Sequence, residues 1–149
     1  MVVDRVRIVK SPTELTEVFR ARGLKMTPQR LAVFEALRAD ADHPTAEAVY
    51  ERVSNDLPTI SLRTVYQTLN DLVSMGELQQ LDLGTGSSRF DTTTGAHHHV
   101  LCESCGEVRD VHGDFAGIEL PSALADDFSV TATEVVFRGQ CSRCATKAA

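Results

Sequence analysis

The stretch HHHVLCESC, residues 97–105, packs three consecutive imidazoles and two thiols into nine positions. An extended strand alternates its side chains between two faces, so His97 and His99 point one way and His98 and Cys102 the other. A second thiol pair, Cys141 and Cys144, follows with the same C-x-x-C spacing as Cys102 and Cys105. Each C-x-x-C holds two thiolates about 4 Å apart around a turn, and two such knuckles complete a tetrahedral Zn(II) site. Unrelated buried or redox cysteines are the plainer reading, but two matched pairs seldom arise by accident. The pairs flank a strand–helix–strand pattern, so zinc on Cys102, Cys105, Cys141 and Cys144 would staple its first and last strands. Such a centre is closed, with no position left for chemistry.

The totals agree with this. In 149 residues there is room for one ordinary domain or two small ones, and 42% hydrophobic with 24% charged residues is a globular composition. No run approaches the ~18 apolar residues of a membrane span. Charges break the opening MVVDRVRIVK every few positions, so no signal-peptide core is read there and the expected compartment is the cytoplasm. Thiols in a reducing compartment favour metal over disulfides. A net charge of −6 argues mildly against nucleic acid. However, Arg5, Arg7, Lys10, Arg20, Arg22, Lys25, Arg30 and Arg63 all fall in the first half, which leaves the second half more acidic. Carboxylates are also frequent in the first half, so a DNA-binding face would need its charges sorted between surfaces. Bound divalent metal would offset part of the deficit.

Outward from the histidines on the N-terminal side, residues 92–96 have no periodicity and read as a hinge. Before them, 78–83 and 88–91 alternate weakly about Gly84-Thr-Gly86, a hairpin signature. Four helical patterns come earlier. In 12–23, Leu15, Val18, Phe19 and Arg22 keep helical spacing, with Pro12 suited to the first turn and Gly23 to the exit. Thr27 caps a second helix that has Pro28 at its first position and runs to about Arg38. After Asp40 and Asp42, the turn His43-Pro44-Thr45 caps a third helix striped by Ala46, Val49, Tyr50 and Val53, which ends by Pro58. Ser61 caps a fourth, with Leu62, Val65, Leu69, Leu72 and Val73 inward and Gly76 as its stop. Helices followed by a hairpin make a winged helix-turn-helix.

On the C-terminal side, strands are expected over 97–102, 107–112 and 129–138, around a helix that Gly117 and Pro121 shorten. The expected fold is therefore α+β: a winged-helix DNA-binding domain (1–91), a hinge (92–96) and a small α/β domain (97–149) that carries the four-cysteine zinc site.

Two further groups carry chemistry. His97 and His99, on one strand face, form a two-nitrogen clamp suited to Zn, Fe, Ni or Mn, although a histidine run can also be mere surface. Asp110 lies on the next expected strand, where pairing could set its carboxylate beside the imidazoles. Asp91 precedes the hinge, and His43 lies in the helical half. A lone His or Asp is usually just solvated, so spacing alone leaves these three open. In the helix 61–75, Arg63, Gln67 and Asn70 face outward with groups able to read base edges, while Thr64 and Tyr66 can reach phosphate. An ordinary amphipathic helix would look much the same.

Taken in order, MTPQR (26–30), HPT (43–45), SLRTVYQTL (61–69), SRFD (88–91), the HHH-x-x-C-x-x-C-G run and the final C-x-x-C resemble the ferric uptake regulator (Fur) superfamily over about residues 12–145. The resemblance implies a homodimeric repressor that binds double-stranded DNA at A/T-rich inverted repeats through the winged helices, and dimerises through the C-terminal unit. It also implies that His43, Asp91, His97, His99 and Asp110 together form a regulatory site for Fe(II) or Mn(II). Iron-sensing members usually have Glu where Asp91 and Asp110 stand, whereas the peroxide-sensing (PerR-like) branch has Asp at both. For that branch the implied mechanism is peroxide reduction by Fe(II) and oxygen addition at His43 and His97, after which the repressor leaves DNA.

An iron-abundance repressor is the alternative within the class. Zinc- and nickel-sensing branches fit less well, because the zinc branch commonly has a cysteine near Asp91 and the nickel branch spaces its histidines differently. Some members carry a third metal site, but Ala96 and Thr133 stand at or near positions where that site wants histidine. The resemblance therefore implies no third site here and leaves His98 without evident partners. His112 reads as structural or surface. From another class, a metallohydrolase would need a general base and a substrate loop, and neither accompanies the His/Asp set.

Overall fold

In the computed structural model, residues 10–39 and 43–147 are described; the basic positions Arg5 and Arg7 and the turn residues Asp40 and Asp42 fall outside them. The chain divides into two compact units between Thr94 and Gly95. Its fold is α+β.

The first unit opens with four helices, α1 (Pro12–Ala21), α2 (Pro28–Ala39), α3 (Ala46–Asp56) and α4 (Leu62–Ser74). Each start is set by a hydroxyl that accepts a backbone N–H left without a partner at a helix N-terminus. Ser11 takes Glu14 N–H, and Glu14 reciprocates in a capping box. Thr27 takes Arg30 N–H, Thr45 takes Ala48 N–H and Ser61 takes Thr64 N–H. Two ends are set by glycine. Gly23 (φ 72°) and Gly76 (φ 74°) adopt the left-handed conformation, and the following residues Leu24 and Glu77 donate back to the carbonyls of Phe19 and Leu72. Lys10 and Glu77 pair at 2.6 Å, tying the approach to α1 to the end of α4.

One apolar core joins these helices, with Leu15, Phe19, Val33, Phe34, Leu37, Val49, Val65, Leu69 and Leu72 buried in it. Leu62, expected inward, is instead exposed, and Thr68 takes a buried place with its hydroxyl donating to the Thr64 carbonyl. The first turn of α4 thus lies at the rim of the core, and the stripe begins at Val65. A two-stranded antiparallel sheet follows, β1 (Gln79–Leu81) with β2 (Arg89–Asp91), in the register Gln79↔Asp91. Phe90 of β2 enters the same core.

The second unit is a three-stranded sheet of β3 (His98–Cys102), β4 (Val108–Val111) and β5 (Val136–Gly139), in the order β4-β3-β5. β4 runs antiparallel and β5 parallel to β3. Between β4 and β5 lies one helical turn, α5 (Ser122–Ala125), as Pro121 and Gly117 suggested, and α6 (Ser142–Lys147) closes the described chain. Two expectations are corrected. The strand expected over 129–138 pairs only from Val136, because Val135 N–H donates to the His98 side chain instead of a ladder. The C-x-x-C of Cys141 also opens into α6 rather than a bare turn.

Candidate metal centres

β3 ends in Cys102, and the turn after it brings Cys105 back: Gly106 N–H donates to the Cys102 carbonyl and Cys102 N–H to that of Glu107. β5 leads into Cys141, whose N–H donates to Cys102 Sγ at 3.3 Å. The sulfurs of Cys102, Cys105, Cys141 and Cys144 all lie within 4.8 Å of one another, with Cys105 and Cys141 at 3.9 Å. Tetrahedral Zn–S bonds of about 2.3 Å require sulfurs about 3.8 Å apart, so the cluster fits zinc.

Its electrostatics point the same way. Backbone N–H groups of Cys141 and Cys105 bring the Cys102 thiol down to about 6. The neighbouring Cys141 thiol, with desolvation, pushes Cys144 up to about 12. Four thiolates cannot share this space without a cation. The parallel pairing of β3 with β5 sets the two knuckles side by side, so this structural zinc centre ties the first strand of the unit to the last.

The remaining candidates occur as one group in each unit. In the first, His43 is buried at φ 51°, a left-handed conformation uncommon for a residue with a side chain. Its neighbour Pro44 accepts Phe90 N–H, and Arg89 donates to the His43 carbonyl. His43 Nε2 then stands 3.2 Å from Asp91 Oδ2. Asp91 Oδ1 accepts Thr93 N–H at 2.7 Å, which fixes the carboxylate so that Oδ2 faces the imidazole.

In the second unit the β3–β4 register sets His99 opposite Asp110. His97 Nε2 is 3.3 Å and His99 Nε2 3.7 Å from the same oxygen, Asp110 Oδ1. The other nitrogen of each ring has an acceptor: the Gly95 carbonyl at 2.7 Å from His97 Nδ1, and Glu134 Oε1 at 2.7 Å from His99 Nδ1. Both rings therefore present Nε2 inward with Nδ1 held by an acceptor, the support that metal-ligating histidines usually have. Nitrogen and carboxylate donors without thiolate suit Fe(II) or Mn(II), so the residues of each group fit those ions.

The sequence profile of the ferric uptake regulator family matches residues 21–137. The chain belongs to that family. Among its relatives is the peroxide-responsive repressor PerR of Staphylococcus saprophyticus, 38% identical over 129 residues, which is 86% of this chain and 87% of that one. The Vibrio cholerae ferric uptake regulator structure is 29% identical with a TM-score of 0.69, and the match covers 85% of this chain and 99% of that one. PerR from Streptococcus pyogenes, a structure concerned with peroxide sensing and gene regulation, is 27% identical with a TM-score of 0.51, covering 88% and 90%. Members of the Fur family are metal-dependent regulators, and this member carries donors for both zinc and a harder ion.

Three side chains acquire roles that sequence reasoning missed. His98, expected to lack partners, accepts Val135 N–H at 3.0 Å and packs edge-on against Phe115. Glu134 is bonded to His99 from 35 residues away, and no spacing rule could have found it. Glu47, in the first turn of α3, accepts the Tyr66 hydroxyl at 2.7 Å. Of the residues expected to meet DNA, Arg63, Tyr66, Gln67 and Asn70 are exposed on α4. Thr64 is half-buried, with its N–H and hydroxyl both on the capping Ser61.

Proposed function

We propose that this Fur-family member is a peroxide-responsive transcriptional repressor whose regulatory ion is held by His43, Asp91, His97, His99 and Asp110. The observation that carries the reading is the pair of inward-set Nε2 atoms of His97 and His99 meeting at the carboxylate of Asp110. Aspartate at both 91 and 110, together with the similarity to PerR, favours the peroxide branch over iron-abundance sensing.

A ligand set drawn from both sides of residues 92–96 makes that stretch a hinge. An ion bound by ligands from both units favours the arrangement that binds it best. Iron(II) bound there supplies the reducing electron for peroxide. The chain's own contribution is to hold His43 and His97, the rings expected to gain oxygen, and to keep both carboxylates aimed.

The helices with their hairpin serve as a winged helix-turn-helix, with α4 in the major groove of an A/T-rich inverted repeat. Arg63, Gln67 and Asn70 meet base edges, and Thr64 and Tyr66 meet phosphate. The protein acts as a cytoplasmic homodimer. Supporting this, the second unit buries only Leu101, Cys102 and Val108 among its described apolar side chains, and exposes Ile118, Leu124, Phe128, Val130 and Phe137. So thin a core needs both zinc and a partner surface. Among the described residues, no helix is long and apolar enough to cross a membrane.

The test is operator binding by zinc-only protein supplied with Fe(II) or Mn(II), before and after peroxide, followed by peptide mass analysis. Iron-loaded protein should lose DNA and gain one oxygen at His43 or His97, while manganese-loaded protein keeps both DNA and mass. Release with oxidation only at cysteine would sink the proposal. Release that follows iron level and ignores peroxide would point to the iron-abundance alternative.

A further inference from the structure

We infer that Glu134 is a positioning residue for the regulatory site, selecting the tautomer of His99 and strengthening its Nε2 as a metal donor; this rests on the sensor-site reading above. The His99 ring is almost wholly buried, so its Nδ1–H needs an acceptor within the protein. Glu134 Oε1 stands 2.7 Å from that nitrogen. A carboxylate only accepts, so Nδ1 carries the proton, and in the neutral ring that can bind a metal the lone pair is on Nε2, the atom that faces Asp110. Free histidine favours the opposite tautomer, so the carboxylate imposes a choice the ring would not make alone.

The backbone supports this contact. His99 N–H donates to the Val135 carbonyl at 3.0 Å, and Val135 N–H donates to His98 Nδ1 at 3.0 Å. Glu134 and Val135 are thereby clasped to two consecutive histidines before β5 begins, which accounts for the late start of that strand. The two ligand histidines of this unit differ as a result. His97 leans on a neutral backbone carbonyl and His99 on a charged carboxylate. A charged acceptor passes more electron density through the ring, which makes His99 the stronger nitrogen donor of the pair.

The alternative is a surface ion pair of no consequence to the site, since Glu134 itself is half exposed. The two are separated by nitrogen-15 NMR of histidine-labelled, zinc-loaded protein without added regulatory metal, combined with Mn(II) titration of the same samples. In the wild-type chain His99 should show a protonated Nδ1. Glu134→Ala should abolish that preference and weaken Mn(II) binding about 10- to 100-fold, the usual effect of losing a carboxylate behind a ligating histidine. Glu134→Gln retains an acceptor without the charge, so it should keep the tautomer and lose less affinity than alanine. Zinc content per chain reports whether each variant is folded, and the glutamine variant alone decides if alanine disrupts the unit. An unmoved tautomer in a folded Glu134→Ala chain, or Mn(II) affinity in Glu134→Gln equal to that of the wild type, overturns the inference. If the wild-type chain binds no Mn(II), the sensor-site reading fails, and the tautomer measurement still decides what Glu134 does.

Discussion

Glu47 and Tyr66 show how a single contact ties the exposed face of one helix to its neighbour. The hydroxyl of Tyr66 donates to the carboxylate at 2.7 Å. That hydrogen bond, with desolvation and the nearby negative charge adding to it, holds Tyr66 above its ordinary value of 10.0. The same bond holds Glu47 below its ordinary 4.5. The signs bound the window. Glu47 favours the folded state above its unfolded value, and that support is lost as pH falls through its lowered folded value. The folded state in turn disfavours ionised Tyr66, so stability falls as pH rises past the unfolded tyrosine value. In a Tyr50→Phe background, Glu47→Gln should bring the ultraviolet titration of Tyr66 down toward 10; an unchanged curve would mean the bond is not populated in solution. Residues of this kind divide sharply in legibility. Cys102, Cys105, Cys141 and Cys144 could be read from spacing, because chemistry demands that spacing. His43, Asp91 and Asp110 could not, since a solitary polar residue carries no pattern, and only the order of motifs around them singled them out.

At the scale of elements, caps carried most of the information. Thr27, Thr45 and Ser61 each take the N–H three residues on, as their place before an apolar stripe suggested. Gly76 ends α4 at φ 74°, where an added Cβ would meet no atom within 4 Å. Its replacement by alanine therefore costs conformational strain alone, and the helical unit should lose about 1 kcal/mol. Urea unfolding checks this through a lower midpoint at unchanged slope, and an unshifted midpoint would show that α4 frays before Gly76. The strand expected over 129–138 was too long for a physical reason. Alternating apolar residues there look like a ladder, but the His98 side chain takes the Val135 N–H, and a side-chain partner leaves no periodic trace in sequence.

Among the described residues there is one well-filled core, in the helical unit, and a three-stranded sheet with few buried apolar side chains beside its cysteine cluster. Removing zinc with a chelator under reducing conditions should therefore act unevenly. Amide exchange should quicken throughout β3, β4 and β5, while α1 to α4 keep their protection. Uniform loss across both units would show that the helical core depends on the metal, and no loss would show that the cysteines are not its ligands. The order of the four thiols along the chain adds a constraint on biogenesis. Cys102 and Cys105 leave the ribosome together, but Cys141 is 36 residues behind Cys105. The helical unit is synthesised first and has a core of its own, so it can fold during translation. The sheet has to wait for its last cysteines, and until they arrive the nascent chain offers only half a zinc site. On the proposed function, competence to sense is then acquired after the DNA-reading half already exists, and a polypeptide broken off between the two knuckles would carry the folded helical unit with half a zinc site.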